Sequence, residues 1–363
     1  MKTMYAVIMA GGGGTRLWPV SRQSRPKQTL NLFSGKSLFQ VAVERIEPLI
    51  PPERIFVVTV AEQARLLQPQ APQIPADNFI LEPGPRGTAS VVGLAATILH
   101  EKDPDAIMAV LTADHFIGDV VRFRELLSAA ALLAQEGDLV TLGITPDRAE
   151  VGYGYIRKGE ARGSFGGLDA YQVGSFKEKP TRELAETYLE SGNYVWNSGM
   201  FVWRADRILA EIDRQMVELA RALKQITASL GTDHEQDAIS AEWDQLVSET
   251  IDYGVMEHAE RVSVIPADDL GWIDVGGWNR FFELYDQDAS GNVVLAEDVL
   301  LADSTRSLVF QETDQRRLIA LLGVEDLVIV DVGDIMFVGN REQTERVREL
   351  VQILKEQGRA GLL

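Results

Sequence analysis

Residues 5–28 read YAVIMAGGGGTRLWPVSRQSRPKQ. An apolar run leads into four glycines, and four cations follow (Arg16, Arg22, Arg25 and Lys27) with no carboxylate among them. The apolar run is too short for a signal peptide and is quickly followed by glycine, so it is expected to be a buried first strand. Glycines directly after a strand let the backbone turn tightly and bring N–H groups close to phosphate oxygens. Two familiar phosphate loops do not fit. A G-x-G-x-x-G fingerprint started at Gly11 puts Arg16 at its last glycine, and started at Gly12 it puts Leu17 there. A P-loop ending in Gly35-Lys36-Ser37 has Leu30 where its first glycine belongs. The stretch therefore reads as a third kind of phosphate loop, in which side-chain cations stand beside backbone donors.

Charge supports this reading. The chain of 363 residues carries 35 Lys+Arg against 54 Asp+Glu, a formal net charge of −19. Residues 1–43 nevertheless hold six Lys/Arg and no acid, the first carboxylate being Glu44. A local positive field in an acidic protein suits a small anionic ligand, whereas the overall charge repels nucleic-acid backbones. There are no cysteines, so disulfides, zinc–thiolate sites and thiol catalysis are excluded. No apolar run reaches the roughly 18 residues that span a bilayer. A cytoplasmic protein acting on no membrane and no nucleic acid is expected.

Working outward, apolar runs at 54–60, 78–82, 106–114 and 138–144 read as further strands. The stretches at 88–101 and 123–137 read as helices between them. Ser37 with Gln40 has capping-box spacing at the start of another helix. Strands alternating with helices imply an α/β fold, a Rossmann-like mixed but mostly parallel sheet. Ligands in such sheets bind beyond the C-terminal strand ends, where the glycine loop and Asp114 both fall. After about residue 286 short β-rich runs recur without helices, implying a small C-terminal β-helix-like domain closed by a charged helix at 341–357. The expected division is 1–285 and 286–363.

Asp114 in LTADH and Asp274 in GWIDVGGW are candidate Mg²⁺ ligands, because Mg²⁺ takes one or two carboxylates plus substrate phosphates. Taken singly, Asp114 reads equally as a helix cap and Asp274 as a turn residue. In FKEKP, Glu178 and Lys179 face opposite ways on a straight strand but can meet if the chain bends before the proline. Glu178 suits sugar hydroxyls and Lys179 a phosphate. Asn197, in what reads as a small-residue turn within WNSGMF, can donate to and accept from a sugar. A further carboxylate, Glu82, ends the third strand. The four histidines share no metal spacing, and no nucleophile motif is present.

Together these motifs resemble the mannose-1-phosphate guanylyltransferases, within the sugar-nucleotide pyrophosphorylases. The resemblance rests on residues 9–28 against the signature G-G-x-G-T-R-L-W-P-x-S-R-x-x-x-P-K-Q. LTADH, VGYGYI, FKEKP, WNSGMF, IDYGVME and GWIDVGGW then follow in order. It implies transfer of GMP from GTP to mannose 1-phosphate with Mg²⁺, giving GDP-mannose and pyrophosphate, by a homodimer. It also implies site roles. Ala10, Gly11, Gly12, Gly14, Thr15, Arg16, Glu82, Thr88 and Asp114 would bind nucleotide. Gly152, Tyr153, Glu178, Lys179 and Asn197 would bind the sugar phosphate. Arg16, Lys27 and Lys179 would be catalytic and Asp114 and Asp274 would hold the metal, while the roles of Arg22 and Arg25 stay open. A chain ending at 363 is expected to lack the isomerase domain of longer bifunctional forms. Two positions depart from the family: RGTA (86–89) has glycine where asparagine is usual, and His258 stands where lysine is usual. The alternatives are another sugar 1-phosphate, such as a heptose, or a non-catalytic regulator that binds sugar nucleotide.

Overall fold

A computed structural model describes residues 3–12, 14–33, 35–313 and 317–363. Its contacts group the chain into two compact units. One comprises Met1–Gly11, Ala42–Ala113 and Ile117–Trp272, and the other Gly12–Val41, Asp114–Phe116 and Ile273–Leu363. This grouping differs from a simple cut near residue 286, because residues 12–41 cluster with the C-terminal strands.

The first unit is built on nine strands: β1 (Met4–Met9), β2 (Ile55–Val60), β3 (Phe79–Glu82), β4 (Ile107–Thr112), then, after the short β5 (His115–Ile117), β6 (Leu139–Ile144), β7 (Tyr155–Phe165), β8 (Leu168–Lys177), β9 (Tyr194–Arg204) and β10 (Val262–Pro266). Their order is β3-β2-β1-β4-β9-β6-β10-β8-β7. Pairings β3–β2–β1–β4 and β6–β10 are parallel. β9 runs against both β4 and β6, and β8 runs against both β10 and β7. The sheet is thus mixed and mostly parallel in strand direction, as the alternating pattern predicts. The first four strands are almost wholly buried, the mark of a sheet covered on both faces. Helix Gly87–Lys102 is lined with Ala, Val and Gly. A side chain at its Gly93 would approach Leu223 at 2.8 Å, so the glycine sets how closely helix Val217–Thr227 packs.

The second unit follows β11 (Trp272–Asp274) and contains β12 (Val293–Leu295), β13 (Val299–Ala302), β14 (Leu308–Gln311), β15 (Ile319–Leu322), β16 (Leu327–Asp331) and β17 (Met336–Asn340). β12, β14 and β16 lie parallel in one sheet, and β13 and β15 in another, so successive strands alternate faces as in a β-helix. β17 folds back antiparallel on β16. Val293, Leu308 and Val328 stack fully buried in register. Leu17, Trp18 and Leu30 join the same core, as do Val351 and Leu354 of the final helix Val347–Glu356. The capping box forms as expected: Ser37 N–H donates to Gln40 Oε1 and Gln40 N–H to Ser37 Oγ.

Candidate active site

In the first unit β1 and β4 are parallel neighbours, with Met9 opposite Thr112 and the Ala113 N–H donating to the Met9 carbonyl. The glycine loop and Asp114 therefore leave the ends of adjacent strands. Lys27 opens a short turn (Lys27–Thr29) in the second unit and is buried, at 6 % exposure. Its Nζ stands 2.9 Å from Asp114 Oδ2 and 3.8 Å from Asp274 Oδ1. A buried ammonium is costly without such partners. Burial alone would raise the Asp114 carboxyl, but Lys27, His115 and the hydrogen bond from Lys27 hold it well below the usual range. The Val275 N–H donates to the Asp114 carbonyl, which ties the two carboxylate-bearing segments together.

Gly14 supports this cluster. Its φ is +59°, and a Cβ there would lie 2.5 Å from the Lys27 Cβ. Gly14→Ala combines a left-handed backbone with a clash, and is expected to lower stability by about 1–3 kcal/mol, read as a reduced Tm. An unchanged Tm would mean that the loop rebuilds freely around Lys27. Gly12 has open space around it, Thr15 begins the turn Thr15–Leu17, and Gly13 lies outside the described residues. The Arg16 side chain is half exposed, 3.9 Å from Glu345. Arg22 pairs bidentately with Asp334, at 2.8 and 2.6 Å, and Arg25 with Glu312, at 2.8 and 2.5 Å. Two of the four cations therefore fasten the loop to the strand connections of its own unit, Glu312 just after β14 and Asp334 between β16 and β17.

In the first unit, Ala10 N–H donates to the Val58 carbonyl, extending the sheet past β1. Glu82, at the end of β3, is 4 % exposed and packs so tightly that a Cβ on Gly11 would meet its Oε1 at 2.6 Å. Its Oε2 is buried without a hydrogen-bond partner. Burial pushes this carboxyl up to about 7. Thr88 Oγ1 accepts the Ile251 N–H at 2.9 Å, so this hydroxyl anchors a neighbouring segment.

The bend before Pro180 occurs. β8 ends at Lys177, Lys179 takes φ +43°, and its Nζ lies 3.1 Å from Glu178 Oε1. A Cβ on Gly154 would lie 2.3 Å from Glu178 Oε2 and 3.3 Å from the Asn197 Cβ, so glycine leaves room for that carboxylate. Asn197 is not in a turn but inside β9, where the register with β6 shifts and Gly199 takes φ +69°. The turn-like composition encodes a bulged strand that re-aims the asparagine. Asn197 Nδ2 donates to Asp252 Oδ1 at 2.7 Å, a partner that sequence reasoning did not single out. Burial, then the nearby Glu178 charge, pushes Asp252 up to about 6. Tyr153 packs edge-on between Trp196 and Trp272, with centroids at 5.3 and 5.2 Å. The Gly152 N–H donates to Glu150 Oε1.

Among the described residues no group of three or more His, Asp or Glu side chains is arranged for a metal, and no helix is long and apolar enough to cross a membrane. The second unit thus offers buried and half-exposed cations beside two carboxylates. The first offers an acid–lysine pair, a fixed amide and aromatic rings, a donor set suited to a phosphorylated polyol.

Comparison with known proteins is consistent along the whole chain. Residues 5–291 match a family model described as nucleotidyl transferase, and residues 289–354 one described as a MannoseP isomerase/GMP-like beta-helix domain. The mannose-1-phosphate guanylyltransferase of Klebsiella pneumoniae is 39% identical over 98% of this chain and 75% of its own length. That of Escherichia coli K12 is 37% identical over 98% and 74%. A crystal structure from Thermus thermophilus, titled mannose-1-phosphate geranyltransferase, aligns with TM-score 0.86 and 37% identity, covering 98% of this chain and all of the other.

Proposed function

We propose, from the premise that the chain belongs to the mannose-1-phosphate guanylyltransferase family of nucleotidyl transferases, that it transfers GMP from GTP to mannose 1-phosphate, releasing GDP-mannose and pyrophosphate. The observation that carries the reading is the buried Lys27 held by Asp114 and Asp274 at the foot of a glycine loop.

A phosphate oxygen of mannose 1-phosphate, already anionic, attacks the α-phosphorus of GTP. The bond from that phosphorus to the oxygen bridging to the β-phosphate breaks, and pyrophosphate leaves with its electron pair. No general base is needed. The barrier is the approach of two polyanions, so catalysis reduces to positioning and charge neutralisation. In this reading Lys27 and Arg16 neutralise the triphosphate, aided by the N–H groups of Gly11, Gly12 and Gly14. Lys179 neutralises the sugar phosphate, and Glu178 and Asn197 hold sugar hydroxyls beside Gly152 and Tyr153. Asp114 and Asp274 suit Mg²⁺: both lie within 4 Å of one ammonium, and the trio keeps a net negative charge. When bound there, Mg²⁺ would supply further positive charge for the phosphates. The functional division remains 1–285 for transfer and 286–363 for the β-helix-like part, in a cytoplasmic homodimer.

The carboxylate Oε2 of Glu82, buried and unpartnered, supports guanine selection, since guanine offers it N1–H and N2–H. Glu82→Gln is expected to erode the GTP-over-ATP preference at least tenfold in kcat/KM. Only the ionised carboxylate accepts both protons. Because burial pushes Glu82 up to about 7, the KM for GTP falls as pH rises toward about 7 and flattens above it. Below that it climbs by up to about tenfold per pH unit. Glu82→Gln removes that limb. An unchanged base preference and pH profile would exclude this role.

The test of the reading itself is pyrophosphate release from GTP across a panel of sugar 1-phosphates. Mannose 1-phosphate is expected to give the highest kcat/KM. Preference for a heptose 1-phosphate would reassign the acceptor, and no release with any of them would favour a binding protein.

A further inference from the structure

Asn197 is held on every side but one. Its Oδ1 accepts the Gly199 N–H at 3.2 Å and lies 3.2 Å from the Thr141 hydroxyl. One Nδ2–H goes to Asp252 Oδ1 at 2.7 Å. Rotating the amide by half a turn would set oxygen against carboxylate and N–H₂ against N–H, so the orientation is dictated by its partners. What remains for a ligand is the second Nδ2–H.

Asp252 is itself fixed from outside the pocket. It begins the turn Asp252–Met256, and the preceding residues are bound to the start of helix Gly87–Lys102. Glu249 N–H donates to the Arg86 carbonyl, Ala89 N–H to the Glu249 carbonyl, and Ile251 N–H to Thr88 Oγ1. Gly87 has φ +79°, and a Cβ there would sit 2.1 Å from the Glu249 carbonyl oxygen. The RGTA segment, with glycine in place of the usual asparagine, is thus shaped to dock residues 249–251 closely and so place Asp252.

We propose that Asp252 is a positioning residue that fixes Asn197 as a hydrogen-bond donor only, so that this side chain reads a sugar oxygen acting as acceptor. The inference deepens, and rests on, the reading of Glu178, Lys179 and Asn197 as the sugar-phosphate pocket. It also replaces the expectation that Asn197 both donates and accepts. Asp252 touches no substrate in this account and acts through Asn197.

The test compares Asp252→Ala, Asp252→Asn, Asn197→Ala and the double alanine variant of the full chain in the pyrophosphate-release assay. Asp252→Ala is expected to raise the KM for mannose 1-phosphate about tenfold, the scale of one hydrogen bond, with the KM for GTP within about twofold. The double variant should be no worse than Asn197→Ala, because the two residues work as one unit. Asp252→Asn, which keeps an acceptor oxygen, should recover most of the loss. Effects that multiply, or a GTP KM that rises in step, would overturn the proposal. A second readout does not depend on turnover. In protein labelled with ¹⁵N-asparagine, one Asn197 side-chain proton, identified by its absence in Asn197→Ala, should be shifted downfield, lose that shift in Asp252→Ala and keep part of it in Asp252→Asn. Wild type with a normal amide shift contradicts the proposal. A shifted amide in a protein that releases no pyrophosphate with any sugar phosphate leaves the positioning intact and refutes the functional reading instead.

Discussion

Lys27→Met lowers kcat/KM for pyrophosphate release by about a thousandfold. Removing a single preorganised group that stabilises developing charge costs roughly 10²–10³ in rate, and Lys27 does more than that. It is the ammonium within 4 Å of both Asp114 and Asp274. Without it two carboxylates face each other uncompensated, and Asp114 loses the partner that holds it below the usual range. Methionine keeps the length of the stem behind Gly14, so the loss reports charge rather than packing. Lys27→Arg restores charge, but the larger guanidinium must fit the same buried space, and it is expected to recover only part of the rate. Steady-state kinetics with both substrates varied gives the measurement. Activity within tenfold of wild type for Lys27→Met would remove Lys27 from the catalytic machinery.

Asp274→Asn is the second large effect: turnover falls at least a thousandfold while the fold survives. The Asp274 side chain is 23 % exposed, and the local turn is held by the Gly276 N–H on its main-chain carbonyl, which the substitution leaves in place. Tm should therefore move by no more than about 2 °C. Asparagine keeps one oxygen but loses the negative charge that a hard cation requires. Mn²⁺ binding followed by electron paramagnetic resonance, with GTP present, should weaken in parallel. Near-normal turnover and unchanged Mn²⁺ affinity would refute the metal role.

Much of this was legible because the informative signals are local. A strand running into glycines, a proline-marked bend at Glu178-Lys179 and carboxylates after strand ends each fix short-range geometry. That the glycine loop and Asp114 leave neighbouring strand ends could be anticipated because parallel strands deliver their C-terminal ends to one edge, whereas Asp274, at the end of a strand outside that sheet, came to the metal role through the resemblance. What was not legible depends on distant partners. Glu312 and Asp334 look like ordinary turn acids, and nothing near them shows that they bind Arg25 and Arg22. Asp252 lies in a polar helical stretch with no periodic signal, and its role exists only because β9 is inserted antiparallel between β4 and β6 and bulges at Asn197. Glycine and serine in that strand read as a turn because the same residues serve both purposes. The grouping of residues 12–41 with the C-terminal coils arises from Leu17, Trp18 and Leu30 sharing a core with residues near 293–354, a pairing no local pattern encodes.

The central claim is that the sugar phosphate attacks GTP directly, with charge neutralisation in place of a nucleophilic side chain. GTP made chiral at its α-phosphorus by sulfur substitution, incubated with mannose 1-phosphate, Mg²⁺ and the full chain, tests it through the configuration of the GDP-mannose formed. A single in-line displacement is expected to invert the α-phosphorus. Retention, the mark of two displacements through a guanylylated side chain, would contradict it.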